Sequence, residues 1–225
     1  MTSAMILGAS GLTGQALLAE LIADEEIRQI TLLVRKPLTI SHPKVTQHQI
    51  DFGAIDQYHE LFAVERIFCC LGTTIKTAGS KAVFQAVDVH LVRQCAQLAA
   101  NARANKFIVI SSVGANSESA NFYSRCKGQM EKSLKDICQA SAMALVICRP
   151  SLLRGQRDSF RLGESVAAGL TKYLNFLFIG PLQQYQPIAA KQLAKAMLSI
   201  SRQENNQQIT TLPCHELIRL AQNEG

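Results

Sequence analysis

Tyr123-Ser124-Arg125-Cys126-Lys127 sets a phenol and an ammonium four residues apart, eleven residues after Ser112. On a helix, residues i and i+4 share one face, so the Lys127 ammonium can stand beside the Tyr123 phenol. A neighbouring cation favours the phenolate and pulls a group of ordinary pKa ~10 toward neutrality, where a general acid or base works best. Ser111 and Ser112 close the apolar run that precedes this pair, and either hydroxyl could orient a substrate carbonyl by a hydrogen bond. Ser112, Tyr123 and Lys127 are thus the candidate catalytic residues. Their chemistry is delivery of a proton to the alkoxide that forms as hydride reaches a carbonyl, and it needs a hydride donor close by. A lone Y-x-x-x-K is common by chance, so its place in the fold decides its meaning.

The donor site is legible at the other end of the chain. Gly8-Ala9-Ser10-Gly11-Leu12-Thr13-Gly14 follows a short apolar run and opens a helical pattern. In that setting the first glycine allows a tight turn, the second admits a pyrophosphate against the backbone, and the third lets helix and strand pack closely. The helix N-terminus then offers unpaired N–H groups to phosphate. About 20 residues further on, where an NAD-preferring site presents a carboxylate to the ribose 2′-hydroxyl, the chain has Arg35 and Lys36. A guanidinium forks onto a 2′-phosphate, so the expected cofactor is NADP(H) in preference to NAD(H). Asp51-Phe52 is placed to meet the adenine, and Cys70-Leu71-Gly72-Thr73-Thr74 puts a glycine and two hydroxyls at the carboxyl end of a fourth strand. The candidate cofactor contacts are therefore Gly8, Ser10, Gly11, Leu12, Thr13, Gly14, Arg35, Lys36, Asp51, Phe52, the run from Cys70 to Thr74, Ser111, Tyr123, Lys127 and Arg149.

These residues need a scaffold of alternating strands and helices. Short β-branched runs at Ser3–Leu7, Gln29–Val34, Val45–Ile50, Arg66–Cys70, Lys106–Ser111 and Ala144–Arg149 read as strands of a parallel sheet. Leu12–Ala23 and Val87–Asn101 carry apolar stripes at helical spacing and read as crossover helices. The fold class is α/β, a doubly wound parallel sheet. One domain over residues 1–225 is expected, with a core to about residue 150 and a small substrate or lid lobe beyond it. In that lobe Gly155, Gly163, Gly169, Gly180 and Pro181 interrupt the pattern, and helices follow at about Ala189–Arg202 and Pro213–Ala221.

Composition narrows the classes. A chain of 225 residues that is 48% apolar and 18% charged is neither disordered nor of low complexity. Its longest apolar run, Tyr173–Ile179, is too short to cross a bilayer and reads as core packing under the lobe. The net charge of +6 is scattered, and the cluster Arg154, Arg157 and Arg161 encloses Asp158, so nucleic acid is not an expected partner. Seven cysteines form no C-x-x-C pair and five histidines show no ligand spacing, so no metal site is expected. Free thiols and the lack of a basic, cleavable leader suggest the cytoplasm.

Together GASGLTG, the Asp51-Phe52 pair, Ser111-Ser112, YSRCK and Arg149-Pro150 resemble the atypical short-chain dehydrogenase/reductases. FCCLGTTIKTAGS, SSVGANSESANFYSRCKGQME and CRPSLLRG further resemble the Tat-interacting, tumour-suppressor type of NADPH-binding oxidoreductase and its bacterial relatives, over roughly residues 3–200. The resemblance implies a Rossmann core, bound NADPH, and Ser, Tyr and Lys roles at Ser112, Tyr123 and Lys127. Asp88 stands where many such relatives carry asparagine. The expected activity is hydride transfer between the nicotinamide and a small carbonyl or alcohol substrate. The alternative is a dinucleotide sensor that acts through a protein partner without turnover. A protein partner or a homodimer is compatible with either.

Overall fold

The computed structural model describes residues 2–154, 185–204 and 207–222. Gly155, Arg157, Asp158, Arg161, Gly163, Gly169, the Tyr173–Ile179 run, Gly180 and Pro181 lie outside the described residues. The described strands are β1 (Thr2–Leu7), β2 (Ile27–Val34), β3 (Val45–Gln49), β4 (Arg66–Cys69), β5 (Lys106–Ile110), β6 (Ala144–Arg149), β7 (Leu153–Arg154), β8 (Ile188–Ala189) and β9 (Ile209–Pro213). Seven of them form one parallel sheet in the order β3-β2-β1-β4-β5-β6-β9, and β7 pairs with β8. The chain runs outward from β1 to β3, then returns to β4 on the other side of β1. This doubly wound, Rossmann-type topology opens a crevice at the carboxyl ends of β1 and β4, where ligands of such sheets lie.

Both faces of the inner strands are covered, which explains why β1, β4, β5 and β6 are mostly apolar runs. Successive side chains alternate between faces. Met5, Leu7, Ile67, Phe107, Val109 and Ile147 belong to one core with α4 (Val92–Asn101) and α5 (Phe122–Gln139). Ala4, Ile6, Phe68, Ile108 and Val146 belong to the other with α1 (Leu12–Ala23), α6 (Ala190–Arg202) and α7 (Cys214–Gln222). Two short helices, α2 (Ile75–Ala78) and α3 (Lys81–Gln85), follow β4.

Two lysines serve the sheet's far end. Lys44 Nζ donates to the carbonyls of Ile22 and Asp24 at 2.8 and 2.6 Å, closing α1. Lys106 Nζ does the same for α6 through Ile200, Ser201 and Gln203. Each ammonium meets carbonyls that a helix leaves without partners at its C-terminus.

Three elements depart from the sequence expectation. β9 joins the main sheet beside β6, and α6 packs with α1, so α6, β9 and α7 extend the core and its covering layer. The strand escapes a reading of apolar runs because Thr210 and Thr211 occupy its half-buried sheet edge. Short 3-10 turns, kinked at Ala54 and Tyr58, occupy Phe52–Phe62. The crossover helix expected from Val87 begins at Lys81, and Ala86–Leu91 within it is a π-helical turn.

Candidate active site

The glycine turn has the geometry its spacing implies. Gly8 adopts φ +84°, and a Cβ on Gly14 would lie 2.2 Å from the Gly8 carbonyl oxygen, so only glycine fits. Gly11 is the N-cap of α1 and makes no side-chain capping bond, and no acidic residue sits in the first turn. By contrast Thr74, Ser80 and Asn121 cap α2, α3 and α5 with their side chains. The open N-terminus of α1, with Ser10 exposed, Leu12 half-buried and Thr13 buried, leaves its donors and its positive dipole end for an anion.

At the end of β2, Arg35 and Lys36 are exposed. Arg35 lines a cavity of about 600 Å³ with Gln49, Ile50, Asp51 and Phe52. Asp51 Oδ1 accepts from the Gly53 N–H at 2.8 Å and so caps the first of the 3-10 turns. Three of the adenosine-side candidates, Arg35, Asp51 and Phe52, are therefore gathered around one opening, and Lys36 is not among its lining residues. On the other side of β1, Cys70 and Leu71 are half-buried, Gly72 and Thr74 are exposed, and the Thr73 N–H donates to Asp88 Oδ2 at 2.8 Å.

Asp88 is the hinge of the site. It is buried within the π-helical turn, and its other oxygen, Oδ1, forms an ion pair with Lys127 Nζ at 2.8 Å. One carboxylate thus links the loop after β4 to α5. Burial works against the Lys127 ammonium, but the Asp88 charge and Tyr123 outweigh it, and the lysine pKa is raised above its ordinary value. Lys127 Nζ lies 6.0 Å from the centroid of the Tyr123 ring. Tyr123 is 38% exposed, and its ring is tilted against buried Phe84 at 5.8 Å. Tyrosine and lysine share a helix face, as their spacing implies.

The two serines differ. Ser112 is 8% exposed and its Oγ has no hydrogen-bond partner among the described residues. Ser111 donates to Glu131 Oε1 at 2.6 Å. Arg149 also turns to Glu131, with Nε 2.8 Å from Oε1 and Nη2 2.5 Å from Oε2. Arg149 lines a second cavity of about 260 Å³ with Val113, Gly114, Thr211, Pro213 and Cys214. The side chains of Ser111 and Arg149, expected at the cofactor, are thus bonded to α5.

Gly128, Glu131 and Asp88 carry the site without having been singled out as site residues from sequence. A Cβ on Gly128 would fall 2.1 Å from the Ser117 nitrogen, so α5 presses directly on the loop that begins at Ser112. Glu131 could have been suspected, since Tyr123, Lys127 and Glu131 repeat at i, i+4 and i+8. Burial pushes the thiols of Cys69 and Cys148 up to about 12 and that of Cys138 to about 11. Among the described residues no cluster of three or more His, Cys, Asp or Glu could hold a metal ion, and no helix is long and apolar enough to cross a membrane.

Residues 8–159 match the NAD(P)H-binding family. Protein HTATIP2 of Rattus norvegicus is 35% identical over 169 residues, covering 73% of this chain and 68% of that protein. Protein FMP52-2, mitochondrial, of Scheffersomyces stipitis is 31% identical over 185 residues, covering 80% and 79%. Among solved structures, MoeE5 in complex with UDP-glucose and NAD has the same fold, with a TM-score of 0.69, 11% identity and coverage of 100% of this chain and 82% of that one. A short-chain dehydrogenase/reductase superfamily protein from Agrobacterium tumefaciens with bound NAD gives 0.70, 15%, 94% and 77%. The mitochondrial names of the FMP52 relatives overturn the cytoplasmic expectation. The reason is physical: unpaired thiols report a reducing environment and carry no address.

Proposed function

This chain belongs to the NAD(P)H-binding family and has the oxidoreductase-like fold of the HTATIP2 and FMP52 type, and from that premise we propose that it is an NADP(H)-dependent oxidoreductase acting on a carbonyl or alcohol. The observation that carries the proposal is the buried Ser112 hydroxyl, without a partner among the described residues, in the loop pressed against the helix that presents Tyr123 and Lys127. A buried hydroxyl left unpaired costs about 1–3 kcal/mol, a cost that a substrate oxygen would relieve.

The residues suit the dinucleotide. The uncapped start of α1 at Gly11 would take its pyrophosphate, and exposed Arg35 beside the larger cavity would take the 2′-phosphate. Bound NADPH supplies the hydride. Tyr123 holds the proton that the substrate oxygen receives, and Ser112 donates a hydrogen bond to that oxygen. Lys127 keeps its charge beside the phenol and has ammonium donors besides the one facing Asp88 for the nicotinamide ribose. Asp88 holds that ammonium in place and ties the Thr73 backbone to it.

The test is NADPH oxidation at 340 nm across a panel of aldehydes, ketones and quinones. Turnover of at least one, lost in Tyr123→Phe, supports the proposal. NADPH binding with no turnover of any member contradicts it and favours the sensor.

A further inference from the structure

Two neighbouring serines follow β5 and their hydroxyls have opposite surroundings: Ser111 is bonded to Glu131, and Ser112 is buried with no partner among the described residues. Glu131 is 2% exposed on α5, one turn beyond Lys127 and two beyond Tyr123. A buried carboxylate is retained only when its charge is paired and its lone pairs are filled. Here Arg149 supplies the charge through two bonds and Ser111 supplies a third donor. Arg149 is the last residue of β6, and its Nη2 also reaches the carbonyl of Ala115 at 3.4 Å, three residues past Ser112. One carboxylate therefore fastens the end of β5, the end of β6 and the following loop to the helix that carries Tyr123 and Lys127.

We infer that Glu131 is a positioning residue that sorts the two serines, locking Ser111 into the framework so that Ser112 alone presents a free hydroxyl to the substrate carbonyl. The inference rests on the oxidoreductase reading above. It assigns Ser111 and Arg149 to holding the loop. An aspartate, one methylene shorter, could not reach both partners from the same backbone position.

The test uses the full chain as wild type, Glu131→Ala, Glu131→Gln and Ser112→Ala, each saturated with NADPH. Three quantities are read: the NADPH dissociation constant, the fluorescence lifetime of the bound nicotinamide, and the single-turnover rate with 9,10-phenanthrenequinone as a general hydride acceptor. Glu131→Ala is expected to bind NADPH within about threefold of wild type, because the phosphate and adenosine contacts lie elsewhere. Its nicotinamide lifetime should change, and hydride transfer should fall roughly 100-fold, the loss expected when a reacting group shifts by about 1 Å. Glu131→Gln keeps an oxygen for Ser111 and should recover part of both quantities. That graded rescue is what a merely destabilising change would not produce. The lifetime is informative whether or not the quinone is reduced, and Glu131→Gln carries the test if Glu131→Ala does not fold. Wild-type lifetime and transfer rate in the Glu131 variants would overturn the inference and leave the oxidoreductase reading intact. A wild type that binds no NADPH would overturn both.

Discussion

Asp88 and Lys127 meet as a buried ion pair, with 2.8 Å between Oδ1 and Nζ. Both side chains are almost wholly enclosed, so removal of one partner strands a charge that water cannot reach. Asp88→Ala is therefore expected to destabilise the fold by about 3–5 kcal/mol. Asp88→Asn, which keeps an oxygen for the Thr73 N–H, should cost less. Urea unfolding measures both, and a loss under about 1 kcal/mol for the alanine variant would mean that the pair does not hold the site together.

The same pair sets an alkaline limit on stability. The Lys127 pKa is raised in the folded state above its ordinary 10.5, so the folded protein keeps a proton that the unfolded chain gives up first. Stability from this pair is complete below 10.5 and is lost as pH climbs through the folded value. The buried thiols act in the same direction and earlier, because Cys69 and Cys148 are pushed from 9.0 to about 12. Urea midpoints between pH 8 and 11 should fall from about pH 9, and more steeply above 10.5 in wild type than in Lys127→Met. A midpoint that rises over this range would contradict the account.

Tyr123→Phe removes the proton and leaves the ring that packs on Phe84. Loss of a general acid costs 10²–10⁴ in rate, so turnover of any accepted carbonyl should fall by at least 100-fold. NADPH affinity should stay within about twofold. A variant with near-normal turnover would take Tyr123 out of the chemistry.

Gly128→Ala brings a methyl group to 2.1 Å from the Ser117 nitrogen, a contact with backbone that no rotamer relieves. The loop from Ser112 must move away from α5. Hydride transfer should collapse while dinucleotide affinity, set at the far side of β1, changes little. Combined fluorescence titration and turnover assays check this, and unimpaired transfer would show that the loop tolerates displacement.

Much of this arrangement can be read in the chain itself. Leu12–Ala23 is helical over the expected span because its apolar stripe starts directly after the N-capping Gly11 and runs to the end of the helix. Strands β1, β4, β5 and β6 stand out because both their faces are largely buried, which makes them mostly apolar. β9 does not, since a half-covered edge strand with two threonines lacks that signature. Tyr123 and Lys127 are visible from their spacing together with their place after the fifth strand. The roles of Asp88 and Glu131 are not, because a carboxylate in a helix looks like a solvated surface group until its partner is known. Those partners, Thr73 and Lys127 for one and Ser111 and Arg149 for the other, come from distant stretches that only the folded sheet brings together.

The central claim, an NADP(H) site built on the glycine turn and Arg35, is tested most directly by thermal unfolding in matched titrations of NADPH, NADP⁺, NADH and NAD⁺. A ligand at about 100 times its dissociation constant stabilises the folded state by about 2.7 kcal/mol. The account predicts a raised midpoint with NADPH and NADP⁺, a much smaller one with NADH and NAD⁺, and loss of that preference in Arg35→Ala. An equal response to all four would contradict the role of Arg35, and no response to any would contradict the dinucleotide site itself.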